Sequence, residues 1–226
     1  MTHALAIHIC ADAETTGQKR RWPPVFAAHD SVQRAQRICE HAGVTDQRIL
    51  AGDQATAEAL RDALDRAAAE LVNGGLLVLT FSGHTERGDG PLETARWCLV
   101  GGNLTLAQIT DQLALLPPAA RLVVIADTCY AAAIAQCLRG PQLAVVIASC
   151  GEDQTMIERA RSEFIVRLED LVCSGDASRS IDEIRAALED DTPDCERPVV
   201  WTNAADRWPT EVAGGRPVRK SLLLRS

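Results

Sequence analysis

Apolar residues follow two rhythms along this chain. Short, nearly unbroken runs at 4–10, 76–82, 121–127 and 143–149 alternate with stretches of helical periodicity, and weaker strand-like runs lie at 47–51 and 198–202. A run such as Leu76-Leu77-Val78-Leu79-Thr80-Phe81 lacks polar alternation. That is the pattern of a strand buried on both faces, as strands of parallel sheets are. Between the runs, Leu60, Leu64, Ala67, Ala68 and Leu71 recur at helical spacing behind the candidate cap Thr56, which leaves Arg61, Asp62, Asp65 and Glu70 for solvent. Ser180-Ile181-Asp182-Glu183 has the form of a capping box, with Ile184 and Leu188 continuing an apolar face. Strands alternating with helices predict a mostly parallel six-stranded sheet covered by helices.

The remaining stretches read as irregular: 11–28 with Gly17 and Pro23-Pro24, 85–96 with Gly88 and Gly90, 151–157, 190–197 and everything after 203. No internal repeat is visible. A chain of 226 residues suits one domain. The expectation is a single domain over 1–226, its core at 4–202 and a C-terminal tail at 203–226. The last strand-like run begins with Pro198, which suits a sheet edge.

Composition narrows the classes. The chain is 46% hydrophobic with a net charge of -8 and a pI near 5.1. An overall basic field for nucleic acid is therefore absent. The first residues lack a basic, then apolar, leader, and no apolar run approaches the ~20 residues that span a bilayer, so the expectation is a cytoplasmic protein without membrane or nucleic-acid partners. Eight cysteines occur, at 10, 39, 98, 129, 137, 150, 173 and 195, none in a Cys-x-x-Cys pair. Most read as packing residues, and zinc spacing is missing. The cluster Lys19-Arg20-Arg21 reads as a solvated or cleavable loop. Gly83 and Gly88 have phosphate-loop spacing, but Asp89 follows instead of Lys and Ser or Thr, so nucleotide binding is not supported.

Two residues stand out by position. His84 lies two residues beyond the run that ends at Ser82, and Cys129 two beyond the run that ends at Asp127. Open α/β sheets place their chemistry at the carboxyl edge of the strands. An imidazole able to take a thiol proton is the minimal apparatus of a cysteine hydrolase.

The segments around these residues resemble the caspase-like cysteine peptidases, and within them the metacaspases and bacterial orthocaspases more than the animal caspases. Ser82-Gly83-His84 is similar to the family's Ser-Gly-His-Gly, and Asp127-Thr128-Cys129-Tyr130-Ala131 to its Asp-Ser-Cys-His-Ser-Gly. Ser149-Cys150-Gly151-Glu152-Asp153-Gln154-Thr155 is similar to Ser-Gly-Cys-x-Asp-Asp-Gln-Thr, and Trp97-Cys98-Leu99 also resembles bacterial members. His84 and Cys129 are 45 residues apart, against about 50 in caspases. The likeness covers 4–202 and implies a caspase-like three-layer α/β/α sandwich.

It further implies a His84/Cys129 dyad cleaving peptide bonds by acyl transfer, with the backbone N–H groups of Thr85 and Cys129 as oxyanion hole. Thr85 stands where the family has glycine, and its β-branch is expected to crowd the hole. Tyr130 and Ala131 replace His-Ser. Alternation along an extended segment sets Asp127 on the side of Cys129 and Ser82 on that of His84, and a carboxylate there would attract a basic P1 side chain. In metacaspases the matching serine and aspartate line such a pocket, to which Asp12 would add a second carboxylate. The other reading of Asp127 is a helix cap for the segment near Ala131.

The expected partners are protein substrates with Arg or Lys at P1, and an activating protease or an inhibitor upstream. Processing would fall in a loop such as that holding Arg159 and Arg161. No cofactor is expected. Calcium activates part of the metacaspase group, but the acidic residues Glu189, Asp190, Asp191, Asp194 and Glu196 do not match an EF-hand loop, and no metal residue is assigned. Bacterial relatives suggest defence or programmed death as the setting, and metacaspases suggest a monomer. The alternative is a catalytically silent caspase-like interaction module.

Overall fold

The computed structural model describes residues 3–12, 25–71, 75–140, 142–156, 161–174, 179–190 and 197–203, and the backbone of 212–213 and 216–217. The Lys19-Arg20-Arg21 cluster, Gly17, Pro23-Pro24, Arg159, Asp191, Asp194, Cys195 and Glu196 lie outside the described residues.

In chain order the elements are β1 (Ala4–Ala11), α1 (Ala28–His41), β2 (Asp46–Ala51), α2 (Ala57–Glu70), β3 (Leu76–Gly83), β4 (Thr85–Glu86), β5 (Arg96–Trp97), β6 (Leu104–Thr105), α3 (Leu106–Leu113), β7 (Arg121–Asp127), α4 (Ala133–Cys137), β8 (Leu143–Ala148), α5 (Glu163–Cys173), α6 (Ile181–Glu189) and β9 (Val199–Thr202). Beyond these, Val212–Ala213 pairs antiparallel with Arg216–Pro217. The main sheet has the order β2-β1-β3-β7-β8-β9, with β9 alone antiparallel. The unbroken apolar runs are its central strands, and the more polar β2 is one edge, half exposed along its length. Pro198 immediately precedes the other edge, β9.

Parity decides the layers. Leu5, Ile7, Ile9, Leu77, Leu79, Phe81, Leu122, Val124 and Ala126 face one core with Leu60, Leu64 and Ala67 of α2, Ile109 and Leu113 of α3, and Ile134 of α4. The intervening Ala6, Val78, Val123, Ile125, Val145 and Ile147 face another with Ala35 and Ile38 of α1, Phe164, Ile165 and Leu168 of α5, and Ile184 and Leu188 of α6. This is a three-layer α/β/α sandwich around a mostly parallel six-stranded sheet, as expected from the sequence. Glu169 of α5 pairs with Arg34 and Arg37 of α1, tying two helices of one layer together.

Local signals act as read. The Thr56 hydroxyl accepts from the Ala59 N–H at the start of α2, and Ser180 and Glu183 form a reciprocal capping box on α6. The stretch 85–96 is not wholly irregular. Its ends join β6 in a small antiparallel sheet, β4-β5-β6, with Thr85 opposite Trp97 and Trp97 opposite Leu104. Two-residue strands are too short to show alternation, so tertiary contact reveals them instead: Trp97 is buried and stacked on Phe81 at 4.2 Å between ring centroids. No described helix is long and apolar enough to cross a membrane.

Candidate active site

The register of the parallel strands brings most of the sequence-predicted residues to one edge. Cys10 of β1 lies opposite Ser82 of β3, and Ser82 opposite Asp127 of β7. His84 and Cys129 follow on adjacent strands, which run about 4.8 Å apart. Both side chains are half-buried. Gly83 is required by packing, since a Cβ there would fall 2.9 Å from the Ala11 Cβ and 3.0 Å from the Ala11 carbonyl oxygen. The end of β1 thus presses directly on the segment that carries His84.

Hydrogen bonds lock the two segments together. The Thr128 hydroxyl donates to the Gly83 carbonyl at 2.7 Å and lies 2.8 Å from the Thr85 hydroxyl. Because its one proton is used on Gly83, Thr85 must be the donor of that second bond. The Thr85 side chain is therefore buried as a clasp between β4 and the Cys129 segment. The His84 carbonyl accepts from the Cys98 N–H at 2.9 Å, giving the Trp97-Cys98-Leu99 segment a place in the site.

The third motif is a cradle. Ser149 Oγ accepts from the Thr128 N–H at 3.2 Å and lies 3.1 Å from the Thr128 carbonyl. The Cys150 thiol donates toward the Thr128 carbonyl, and the Tyr130 N–H donates to the Gln154 carbonyl at 2.7 Å. The Gln154 side chain accepts from the Gly151 N–H, closing the turn. The Met156 N–H points at Cys129 Sγ, 3.4 Å away. Tyr130, directly after Cys129, has φ of 54°, a left-handed conformation unusual for a bulky residue. Such conformations cost ~1–3 kcal/mol and persist where the surroundings over-determine them. Here the Gln154 bond and the 149–156 turn supply that constraint.

Asp127 is buried, and its carboxylate faces the α1 and α5 layer. One oxygen accepts from Ser31 of α1 at 2.6 Å, the other from Ser162, the N-cap of α5, at 2.9 Å. The helix-cap reading fails: α4 begins at Ala133 with no side-chain cap, and Asp127 is committed to the two serines. Burial raises its pKa above the usual carboxylate value, and the two hydroxyls act in the opposite direction. The alternation argument stops at Asp127, where β7 ends; the 128–130 loop, not the strand pleat, orients Cys129. Asp12, one residue past β1, is at the same edge and pairs with His29 of α1 at 2.6 Å. Sequence reasoning missed Ser31, Ser162, Cys10 and His29, which carry no local motif and are recognisable only by their register and packing.

Deeper in the same layer lies His8, fully buried and not singled out by the sequence. Its Nδ1 is 2.9 Å from the Thr80 hydroxyl and its Nε2 2.7 Å from Gln47 Oε1. The Gln47 amide nitrogen donates to the Val44 carbonyl, so its oxygen must face His8. Nε2 therefore carries the proton, and the ring is neutral, its pKa pushed down to about 4 by burial despite the Gln47 bond. Among the described residues no disulfide forms.

No protein-family model matches the chain, and no curated protein matches it. Among solved structures, the crystal structure of protein GSU0716 from Geobacter sulfurreducens is similar over 99% of this chain and 100% of its own, with a TM-score of 0.75 and 19% sequence identity. At that identity the likeness is one of fold, the three-layer sandwich described above.

Proposed function

We propose that the chain is a caspase-like cysteine endopeptidase that cleaves after Arg or Lys. The observation that carries this reading is the joint placement of His84 and Cys129 just beyond neighbouring parallel strands, next to a buried Ser82–Asp127 pair in register. The thiol of Cys129 attacks the scissile carbonyl while its proton passes to His84. The N–H groups of Thr85 and Cys129 meet the oxyanion, and His84 returns the proton to the departing amine. Water, deprotonated by His84, then releases the acyl group from sulfur. A free thiol has pKa ~8.5, so assistance by the imidazole is needed at neutral pH. Such help contributes typically ~10²–10⁴ in rate.

Asp127 supplies the specificity. A cationic P1 side chain reaching the Ser82–Asp127 floor offsets the burial that disfavours the carboxylate's charge, whereas an acidic one adds like charge. Asp12 stands at the same edge as a second acidic contact. The burial of the Thr85 side chain, held by Thr128, supports catalysis over a silent interaction module, because a side chain fixed in the interior is not free to fold over the oxyanion. Cleavage at Arg159 or Arg161, by this protein or an activating protease, is the proposed control, and bacterial defence the proposed setting.

The test is hydrolysis of fluorogenic peptides with Arg, Lys, Asp or Leu at P1, before and after limited proteolysis and with and without calcium. Turnover of Arg and Lys peptides should vanish in Cys129→Ala. In Asp127→Asn it should fall about tenfold or more, the equivalent of one charge-assisted hydrogen bond. Cleavage after Asp would overturn the specificity, and silence of the wild type throughout would overturn the peptidase.

A further inference from the structure

We propose that Cys10, Asp12 and His29 form a binding site for a thiophilic divalent cation, with zinc as its type. One ligand atom from each, the Cys10 sulfur, an Asp12 carboxylate oxygen and a His29 ring nitrogen, lies within 4.8 Å of the other two. Around a tetrahedral zinc, with bonds of ~2.0–2.3 Å, ligand atoms stand roughly 3.3–3.7 Å apart. The His29–Asp12 pair, 2.6 Å apart, must open to that spacing to admit the ion between them, a movement within reach of the exposed His29 side chain.

The donor set selects the ion. A thiolate, an imidazole and one carboxylate suit zinc and similar borderline-soft metals, while calcium and magnesium take all-oxygen shells. Three protein ligands leave a fourth position for water or a substrate group. The site is built on rigid parts: Cys10 is in the penultimate position of β1 and packs against Ala28 and Val32 of α1, and His29 is in the first turn of that helix. The Cys10 sulfur is buried, Asp12 mostly so, and the His29 side chain is 62% exposed, so an ion enters from the solvent side past His29. His29 and Asp12 already meet at 2.6 Å.

Without an ion the Cys10 thiol is neutral, held up at about 12 by burial and by the Asp12 charge. A bound cation reverses that balance: it takes the thiolate as ligand, and one proton leaves for solvent.

The position gives the site a consequence that rests on the proposed peptidase reading. Cys10 is opposite Ser82, and Ser82 opposite Asp127. A divalent cation there occupies Asp12 and puts positive charge where a P1 Arg or Lys would approach. Zinc would thus act as an inhibitor that competes with basic substrates.

The experiment titrates the metal-stripped full chain with cobalt(II) and follows the thiolate-to-cobalt charge-transfer band and the visible ligand-field bands of a four-coordinate ion. Wild type should give one equivalent of a thiolate-bound site, displaced by zinc. His29→Gln, at an exposed position that folding tolerates, should weaken binding about tenfold or more. Cys10→Ser, with its fold checked by circular dichroism, should lose the charge-transfer band. Cys129→Ser and His3→Gln should retain it, the latter because His3, Asp46 and Glu70 form a separate, exposed, thiol-free group. No band in wild type would overturn the site, as would a band that survives in His29→Gln at full affinity and disappears in Cys129→Ser. These readouts need no substrate, so they stand even if peptide hydrolysis is never found. If the peptidase is active, zinc inhibition should weaken in His29→Gln by the same factor as binding.

Discussion

The two faces of the central sheet are built on opposite terms. On the side of α2, α3 and α4, the inward side chains of β1, β3 and β7 are apolar to the strand ends, finishing in Ala11, Phe81 and Ala126. On the side of α1 and α5, β1 and β3 exchange aliphatic residues for His8 and Cys10, and for Thr80 and Ser82, over their last two inward positions, and β7 does so at its last, Asp127. Every one of these is buried, and the covering helices answer with polar groups of their own, Ser31 and Ser162. Burying polar groups costs stability unless each is hydrogen-bonded. One face is therefore a packing surface, and the other accepts a cost near its carboxyl edge, which is where substrate recognition is proposed.

The largest effect should come from breaking the apolar face. Trp97→Ala removes the ring stacked on Phe81 and should cost about 3–5 kcal/mol, read from urea unfolding. It should also loosen β5, whose next residue holds the His84 carbonyl. Unchanged stability would mean that the small sheet is not anchored by this stack.

The polar face should respond to acid, where the apolar face does not. His8 has a pKa near 4 in the folded protein and 6.5 unfolded, so between these values the unfolded chain binds more protons and stability falls as pH falls. The full loss from above pH 6.5 to below 4 is on the order of 3 kcal/mol. With a chelator present, unfolding midpoints measured from pH 7.5 to 4.5 should slope less steeply in His8→Gln than in wild type. Equal slopes would remove His8 as the source.

A smaller effect separates shape from charge at Asp127. Its raised pKa means that folding favours the protonated form, so its contribution to stability falls as pH rises above 3.8. Asp127→Asn keeps an acceptor and removes the buried charge, and its stability at pH 7 should equal or exceed that of wild type. Asp127→Ala leaves the Ser31 and Ser162 hydroxyls without their acceptor and should cost ~1–3 kcal/mol. A loss in Asp127→Asn as large as in Asp127→Ala would show that the ionised carboxylate is structural.

Much of this molecule follows from the sequence alone. The unbroken apolar runs located the central strands, since a strand covered on both faces needs apolar residues at every position. Helix starts at Thr56 and Ser180 were legible because a cap is satisfied within three residues of itself. His84 and Cys129 were legible as strand-end residues for the same local reason. The two-residue strands around Trp97 were not, being too short to carry a period.

Tertiary structure alone decided which strands are neighbours, and that order, β1 beside β3 beside β7, puts Cys10, Ser82 and Asp127 in one row. It also chose the partners of Asp127, 96 residues away at Ser31 and 35 away at Ser162, and brought together Cys10 of a strand, Asp12 just past its end and His29 of a helix. Hydrogen bonds and ligand clusters of this kind depend on which surfaces pack together. Packing is set by the sum of many weak apolar contacts, so no local pattern of residues announces it.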